Sequence, residues 1–176
     1  HHVISRLPEK EAHNALWRAW REAKETHNLF VKLDADTTLA NEFILSEIWK
    51  IMSGDPRITG LQAPLADFFT DGHINGLNCF TPKVVFNDTA SDLYCDRDVD
   101  VNHDIVIKGN AVPHAIRPAG FHCYHAAFPQ AFHFGLHRML KGQHDVISRV
   151  RAAYKKNPER KRGLALIGAL VAQDFK

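Results

Sequence analysis

Apolar residues recur at helical spacing near the start of the chain: Ala12, Leu16, Ala19 or Trp20 and Ala23 fall on one stripe, with charged residues between them. Pro8 suits a first helical turn and Asn28 a stop, so the pattern predicts a helix from Pro8 to about Glu25. The period then changes. Leu29-Phe30-Val31-Lys32-Leu33 reads as a short buried strand that ends abruptly in Asp34-Ala35-Asp36. A second helix is expected from about Leu39 to Met52. It is apolar on most sides through Phe43, Ile44, Leu45, Ile48, Trp49 and Ile51, which calls for cover on two faces, and Ser53-Gly54-Asp55-Pro56 terminates it.

Further short runs predict strands at 58–62, 76–80, 83–86 and 104–107, the last followed by a Gly109-Asn110 turn. A third helix starts near Pro129 and runs to about Lys141. Phe128, Phe132, Leu136, Met139 and Leu140 lie on one side, and His133, His137 and Lys141, four apart, on another. A final helix is expected from about Leu164 to Gln173, after the basic stretch Lys155 to Arg162. Strands interspersed with helices predict an α/β sheet domain, with residues 1–150 as the core and 151–176 as a basic segment and short terminal helix.

Length and composition agree with one globular domain: 176 residues, 45% hydrophobic and 24% charged, are enough to bury a core without disulfide or metal staples. Cys79, Cys95 and Cys123 are odd in number and lack CxxC spacing, which argues against a disulfide framework or a four-thiolate zinc site and for a reducing compartment. No apolar run approaches the roughly 20 residues of a membrane-spanning helix. The chain opens with His1-His2-Val3, with neither a secretory pattern nor an initiator methionine. The opening is read as a tag remnant or as the middle of a longer chain, and the expected location is cytoplasmic.

A net charge of +2 conceals a division. Residues 1–100 hold 10 Lys/Arg and 16 Asp/Glu, whereas residues 101–176 hold 12 and 4. An acidic half for a cation and a basic half for an anion fit a metal-plus-phosphate ligand better than a nucleic acid. The basic stretch is a solvated linker or a contact with an anionic membrane at the cytoplasmic face.

With 13 aspartates in the chain, about one Asp-x-Asp pair arises by chance, so the bare motif says little. Context adds more. Asp34 and Asp36 follow an apolar strand directly, which places them at the carboxyl edge of a sheet, where α/β folds collect ligands. Residues i and i+2 of an extended segment point the same way and can share one hard cation, Mg²⁺ or Mn²⁺. The competing reading is a helix cap with a surface neighbour.

The segment "NLFVKLDADTTLANEFI", preceded by "EAHNALWRAW", resembles the centre of the GT-A fold glycosyltransferases of the family-2-like group. "AGFHCYHAAFPQAFHFGLHRMLKGQ" is similar to the far end of such domains, where a histidine after a strand completes the metal site and a basic helix follows. The resemblance spans roughly residues 8–141. It implies a GT-A-like, partly Rossmann-like mixed sheet flanked by helices. It also implies Mn²⁺ or Mg²⁺ on Asp34, Asp36 and His122, with Asn14 and Asp34 on the side of a UDP- or GDP-sugar donor and a glycan or glycolipid as acceptor. Such enzymes place two or three β-α units ahead of this helix. Only seven residues precede Pro8 here, so a portion of a larger enzyme, or a nucleotide held differently, is expected.

Three further groups carry candidate chemistry. His133, His137, Arg138 and Lys141 on the third helix could meet a diphosphate, although Arg138 lies about 100° round from His137. An inverting transfer needs a base, and the acidic run Asp96-Arg97-Asp98-Val99-Asp100 supplies Asp96 and Asp98 as first choices, with Asp67 and Asp71 in reserve. His122, His125, His133 and His137 make a histidine-rich set that suits a transition-metal hydrolase, yet the H-E-x-x-H pattern is absent. P-loop, dinucleotide-fingerprint and hydrolase-elbow motifs are also absent. Trp17, Trp20 and Trp49 read as core. The expected function is metal-dependent sugar transfer, with the hydrolase and a non-catalytic, glycosyltransferase-derived binding module as alternatives.

Overall fold

The structure is a computed structural model that describes residues 3–175; the His1-His2 opening lies outside the described residues. In chain order the elements are α1 (Glu9–Ala23), β1 (Phe30–Lys32), β2 (Thr37–Leu39), α2 (Ile44–Gly54), β3 (Ile58–Asp67), β4 (Gly72–Phe80), β5 (Val85–Phe86), β6 (Asp100–Val101), β7 (Ile105–Lys108), β8 (Gly120–His122), α3 (Phe128–Leu140), α4 (His144–Lys156) and α5 (Arg160–Val171).

The long strand β3 is the spine of a mixed sheet. Eight of its ten residues are buried, the near-continuous burial expected of a strand covered on both faces. One edge pairs antiparallel with β4, which in turn pairs with β1. The other edge is shared by two parallel strands: β7 follows Ile58 to Gln62, and β8 follows Leu65 to Asp67. Pro64 lacks a ladder N–H, and the β3–β4 register shifts between Ala63 and Pro64, where a sheet tolerates proline. Antiparallel β2 closes the path beyond β8. Gly120 makes this pairing possible, because a Cβ there would strike the Thr38 carbonyl oxygen.

Two cross-strand rows explain the layering. Val31, Cys79, Leu61 and Ile107 align on the face covered by α2, through Ile44, Ile48 and Met52. Phe30, Phe80 and Gly60 align on the opposite face, where Trp17 and Trp20 of α1 pack with Phe86 and Val99. Trp17 stacks on Phe86 with centroids 4.7 Å apart, and Trp20 on Phe30 at 5.1 Å. A third cluster joins Phe69 and Cys123 to Ala131 and Phe134 of α3, Val150 of α4 and Ala165 of α5. The α3–α5 crossing is close because Gly135 lies against the Ala165 carbonyl and Gly168 against the Phe132 carbonyl.

The chain is thus a single mixed α/β domain, as the alternation of patterns implies. Three expectations change. Leu39 ends β2 instead of opening the second helix, which starts at Ile44, because β8 offers residues 37–39 a strand partner. That helix is covered on one face only, leaving Phe43 and Trp49 exposed, so Trp49 is not core. Residue 150, where the basic segment was expected to begin, falls inside α4, an element absent from the sequence reading, and α5 starts at Arg160 instead of Leu164 and packs into the body. Among the described residues no helix is long and apolar enough to cross a membrane.

A candidate metal centre at the end of the sheet

Strand register builds this site. Where β3, β8 and β2 lie side by side, Asp67 is the register partner of His122, and His122 of Thr37, the residue after Asp36. The Cys123 N–H donates to the Asp36 carbonyl at 2.9 Å and fastens the turn before β2 to the end of β8. The side chains of Asp36, Asp67, His122 and Cys123 therefore converge on one sheet end from three separate parts of the chain.

Asp67 is fully buried. One of its oxygens lies 2.7 Å from His122 Nδ1, and the other accepts from the Thr70 N–H at 2.8 Å and the Thr70 hydroxyl at 2.6 Å. Burial alone would raise its pKa, but the hydrogen bonds from His122 and Thr70 outweigh it and hold the carboxyl below its ordinary value. An ionised Asp67 requires a proton on His122 Nδ1, and this leaves Nε2 as the outward nitrogen. A carboxylate that orients a histidine in this way is the common outer-shell support of a metal-binding imidazole.

Nε2 faces Asp36 Oδ1 at 3.7 Å, too long for a hydrogen bond, and that oxygen is buried without a hydrogen-bond partner among the described residues. The other oxygen of Asp36 accepts from Gln130 Nε2 at 2.8 Å and from the Cys123 thiol at 3.2 Å. Cys123 has φ 61°, which turns its sulfur to within 3.4 Å of His122 Nε2. Burial, followed by the Asp36 charge, pushes the thiol pKa up, so sulfur stays protonated and acts as a donor here. The ligating atoms of Asp36, His122 and Cys123 all lie within 4.8 Å of one another. The ring nitrogen that Asp67 does not engage faces a partnerless buried carboxylate oxygen, an arrangement that a divalent cation would satisfy. The donor set fits a metal: Asp36 could offer a carboxylate oxygen, His122 an imidazole nitrogen and Cys123 a sulfur.

Asp34 is held elsewhere. The strand ends at Lys32, and Thr37 N–H donates to the Asp34 carbonyl at 3.0 Å; the resulting turn removes the extended geometry that would have aligned the two carboxylates. Asp34 Oδ1 lies 3.3 Å from Lys32 Nζ, which is also 3.2 Å from Asp96 Oδ2. Burial opposes the Lys32 charge, but the two carboxylates more than offset it, and its pKa is raised. His13 Nδ1 lies 2.8 Å from Asp96. Against desolvation, His13 and Lys32 hold Asp96 far below the usual carboxylate range, which makes it a poor base. Asp98 is exposed in the left-handed region, φ 56°, and pairs with Arg97. Neither lies in the Asp36 group.

The other expected contacts disperse. Both ends of the Asn14 amide are engaged by the Thr89 backbone, at 2.7 and 3.1 Å, which makes it a clamp between α1 and the segment before β6. His137 lies 3.6 Å from Glu9, its ring stacked on His133 at 5.2 Å. Lys141 is at the end of α3, where its carbonyl accepts from the Tyr94 hydroxyl. Arg138 lies over the Phe134 ring and donates to Gln143 at 3.0 Å, and its charge is felt at Cys123, where it opposes the rise in the thiol pKa. His125 lines a cleft of about 430 Å³ beside Asp36, together with Thr38, Phe121, Tyr124 and Gln130. His125, His133 and His137 do not join His122 in a shared ligand set.

Asp67, Cys123 and Gln130 are the residues that sequence reasoning missed or ranked low. Asp67 carried a usable signal, since it ends the apolar run "ITGLQAPLAD" as Asp34 follows the apolar run "LFVKL". No family model, curated protein or solved structure matches this chain.

Proposed function

We propose that the chain is a GT-A-like, metal-dependent glycosyltransferase domain that moves a sugar from a nucleotide-sugar donor to a hydroxyl acceptor. The observation that carries this reading is the approach of Asp36 and His122, two of the three ligands the family resemblance implies, to 3.7 Å from sequence-distant segments. Asp36 and His122 would hold the ion, and one nitrogen donor favours Mn²⁺ over Mg²⁺, which prefers an all-oxygen shell. Bound there, the ion supplies Lewis-acid neutralisation of the leaving diphosphate. Arg138 adds positive charge on the same side. Asp67 keeps His122 in one tautomer and orientation, and Gln130 holds the Asp36 carboxylate. The cleft, within the roughly 300–1,000 Å³ range of small-molecule sites, receives the acceptor. Phe121 and Tyr124 offer exposed ring surface, and His125 replaces Asp96 and Asp98 as the group that takes the acceptor proton.

The test is a thermal-shift series with UDP and GDP, with and without Mn²⁺, on the natural sequence and on Asp34→Asn, Asp36→Asn and His122→Ala. A ligand at a hundredfold excess over Kd stabilises the folded state by about 2.7 kcal/mol. A Mn²⁺-dependent nucleotide shift, lost in Asp36→Asn and His122→Ala and kept in Asp34→Asn, is expected. A natural sequence that binds no Mn²⁺, or an Asp36→Asn variant that binds it equally well, overturns the reading.

A further inference from the structure

The helical layer carries a surface that the metal centre does not use. Of the cations between residues 149 and 162, three are fastened inward. Arg149 donates to the His73 carbonyl at 2.8 Å, Lys156 lies 2.7 Å from Asp71, and Arg162 donates twice to the Phe68 carbonyl. Arg151, Lys155, Arg160 and Lys161 have no ion-pair partner among the described residues, and the first three of them are exposed.

Helix geometry gathers these cations on one side. At about 100° per residue, Arg151 and Lys155 share a flank of α4 with Tyr154, while Arg149 and Lys156 fall on the opposite flank. Tyr154 lies against α5, its ring 3.4 Å from the position a Gly163 Cβ would occupy. On α5, Arg160, Gly163, Ile167 and Leu170 fall within an arc of about 80°. Ile167 is 50% exposed and Leu170 58%. Arg160 continues the surface to α3 by lying 4.7 Å over the half-exposed Phe128 ring. Apolar side chains stand out from this surface, with a tyrosine among them and unpaired cations around them.

We infer that this face of α4 and α5 docks on an anionic lipid bilayer, with Ile167, Leu170 and Tyr154 entering the headgroup region and Arg151, Lys155 and Arg160 meeting lipid phosphates. Charge complementarity selects this occupant. An apolar stripe ringed by cations binds by area and electrostatic attraction together, and each cation adds about 1 kcal/mol, or about fivefold in affinity. The surface stands independently of the chemistry at the metal centre.

The experiment is flotation of the chain with vesicles of phosphatidylcholine alone and of phosphatidylcholine with an equal part of phosphatidylglycerol. Sedimentation velocity without lipid runs in parallel. Binding to the anionic vesicles only is expected, weakening as salt rises. Lys155→Glu/Arg160→Glu is expected to weaken it by at least about tenfold. Ile167→Glu/Leu170→Glu is expected to abolish it, and because both side chains are exposed, circular dichroism should show an intact fold. Equal binding to both vesicles, no binding to either, or a lipid-free dimer that Ile167→Glu/Leu170→Glu dissolves would overturn the inference; the dimer would assign this face to a second copy of the chain.

Discussion

Asp67→Asn is the most informative single change, because it separates the orientation of His122 from its presence. The carboxylate accepts from two donors on Thr70, at 2.8 and 2.6 Å, and from one on His122, at 2.7 Å. In the variant, the two Thr70 donors retain the amide oxygen, so the amide NH₂ is presented to His122 Nδ1. That nitrogen must then accept, so the ring proton sits on Nε2 and Nε2 has no lone pair to offer a metal. Loss of an outer-shell partner typically costs 10–100-fold in metal affinity, about 1.4–2.7 kcal/mol. Calorimetric titration with Mn²⁺ should show a loss of this size while thermal stability falls only slightly. Asp67→Ala differs in kind: it strands three buried donors, and removing one partner of a buried, hydrogen-bonded pair typically costs about 3–5 kcal/mol, so unfolding free energy should fall by about that amount. Urea denaturation measures this. If Asp67→Asn binds Mn²⁺ within threefold of the natural sequence, the orienting role is refuted, whatever the stability of either variant.

Two further outcomes test the packing and the electrostatics. Gly135→Ala places a Cβ against the Ala165 carbonyl at the α3–α5 crossing, so the helices must separate; a loss of about 3 kcal/mol is expected by thermal unfolding, and a neutral result would refute the close approach. The pKa of His137 is lowered to about 4 by burial first and then by Lys141, with Glu9 opposing. Its unfolded value lies near 6.5, so the unfolded chain takes up a proton first as pH falls. Stability should be intact above about pH 6.5 and decline between there and about pH 4. His137→Gln should flatten that part of the curve of melting temperature against pH, and an unchanged slope would refute the assignment.

Much of the fold follows from local pattern. The stripe of α1, the apolar run of β1 and the long face of α3 are visible in the sequence because each repeats with the period of its own element. The same locality marks Asp36 and His122 as strand-end residues. α4 was not read from the sequence: the linker reading covered Lys155 to Arg162, whose first two residues end this helix, and the apolar face of Ile147, Val150 and Ala153 becomes evident once Val150 and Tyr154 are seen packed against their neighbours.

The sequence by itself determines the α/β character, most of the elements and the presence of a strand-terminal acidic motif, because hydrophobic periodicity and turn residues act over a few positions. Tertiary structure alone decides what that motif does. The turn at residues 34–37 sends Asp34 to Lys32 and Asp36 to His122, and parallel β3–β8 register sets Asp67 behind the histidine. Strand register is a pairing between distant segments, fixed by Pro64, Gly120 and the burial of each face, and no local pattern encodes which residues it brings opposite one another.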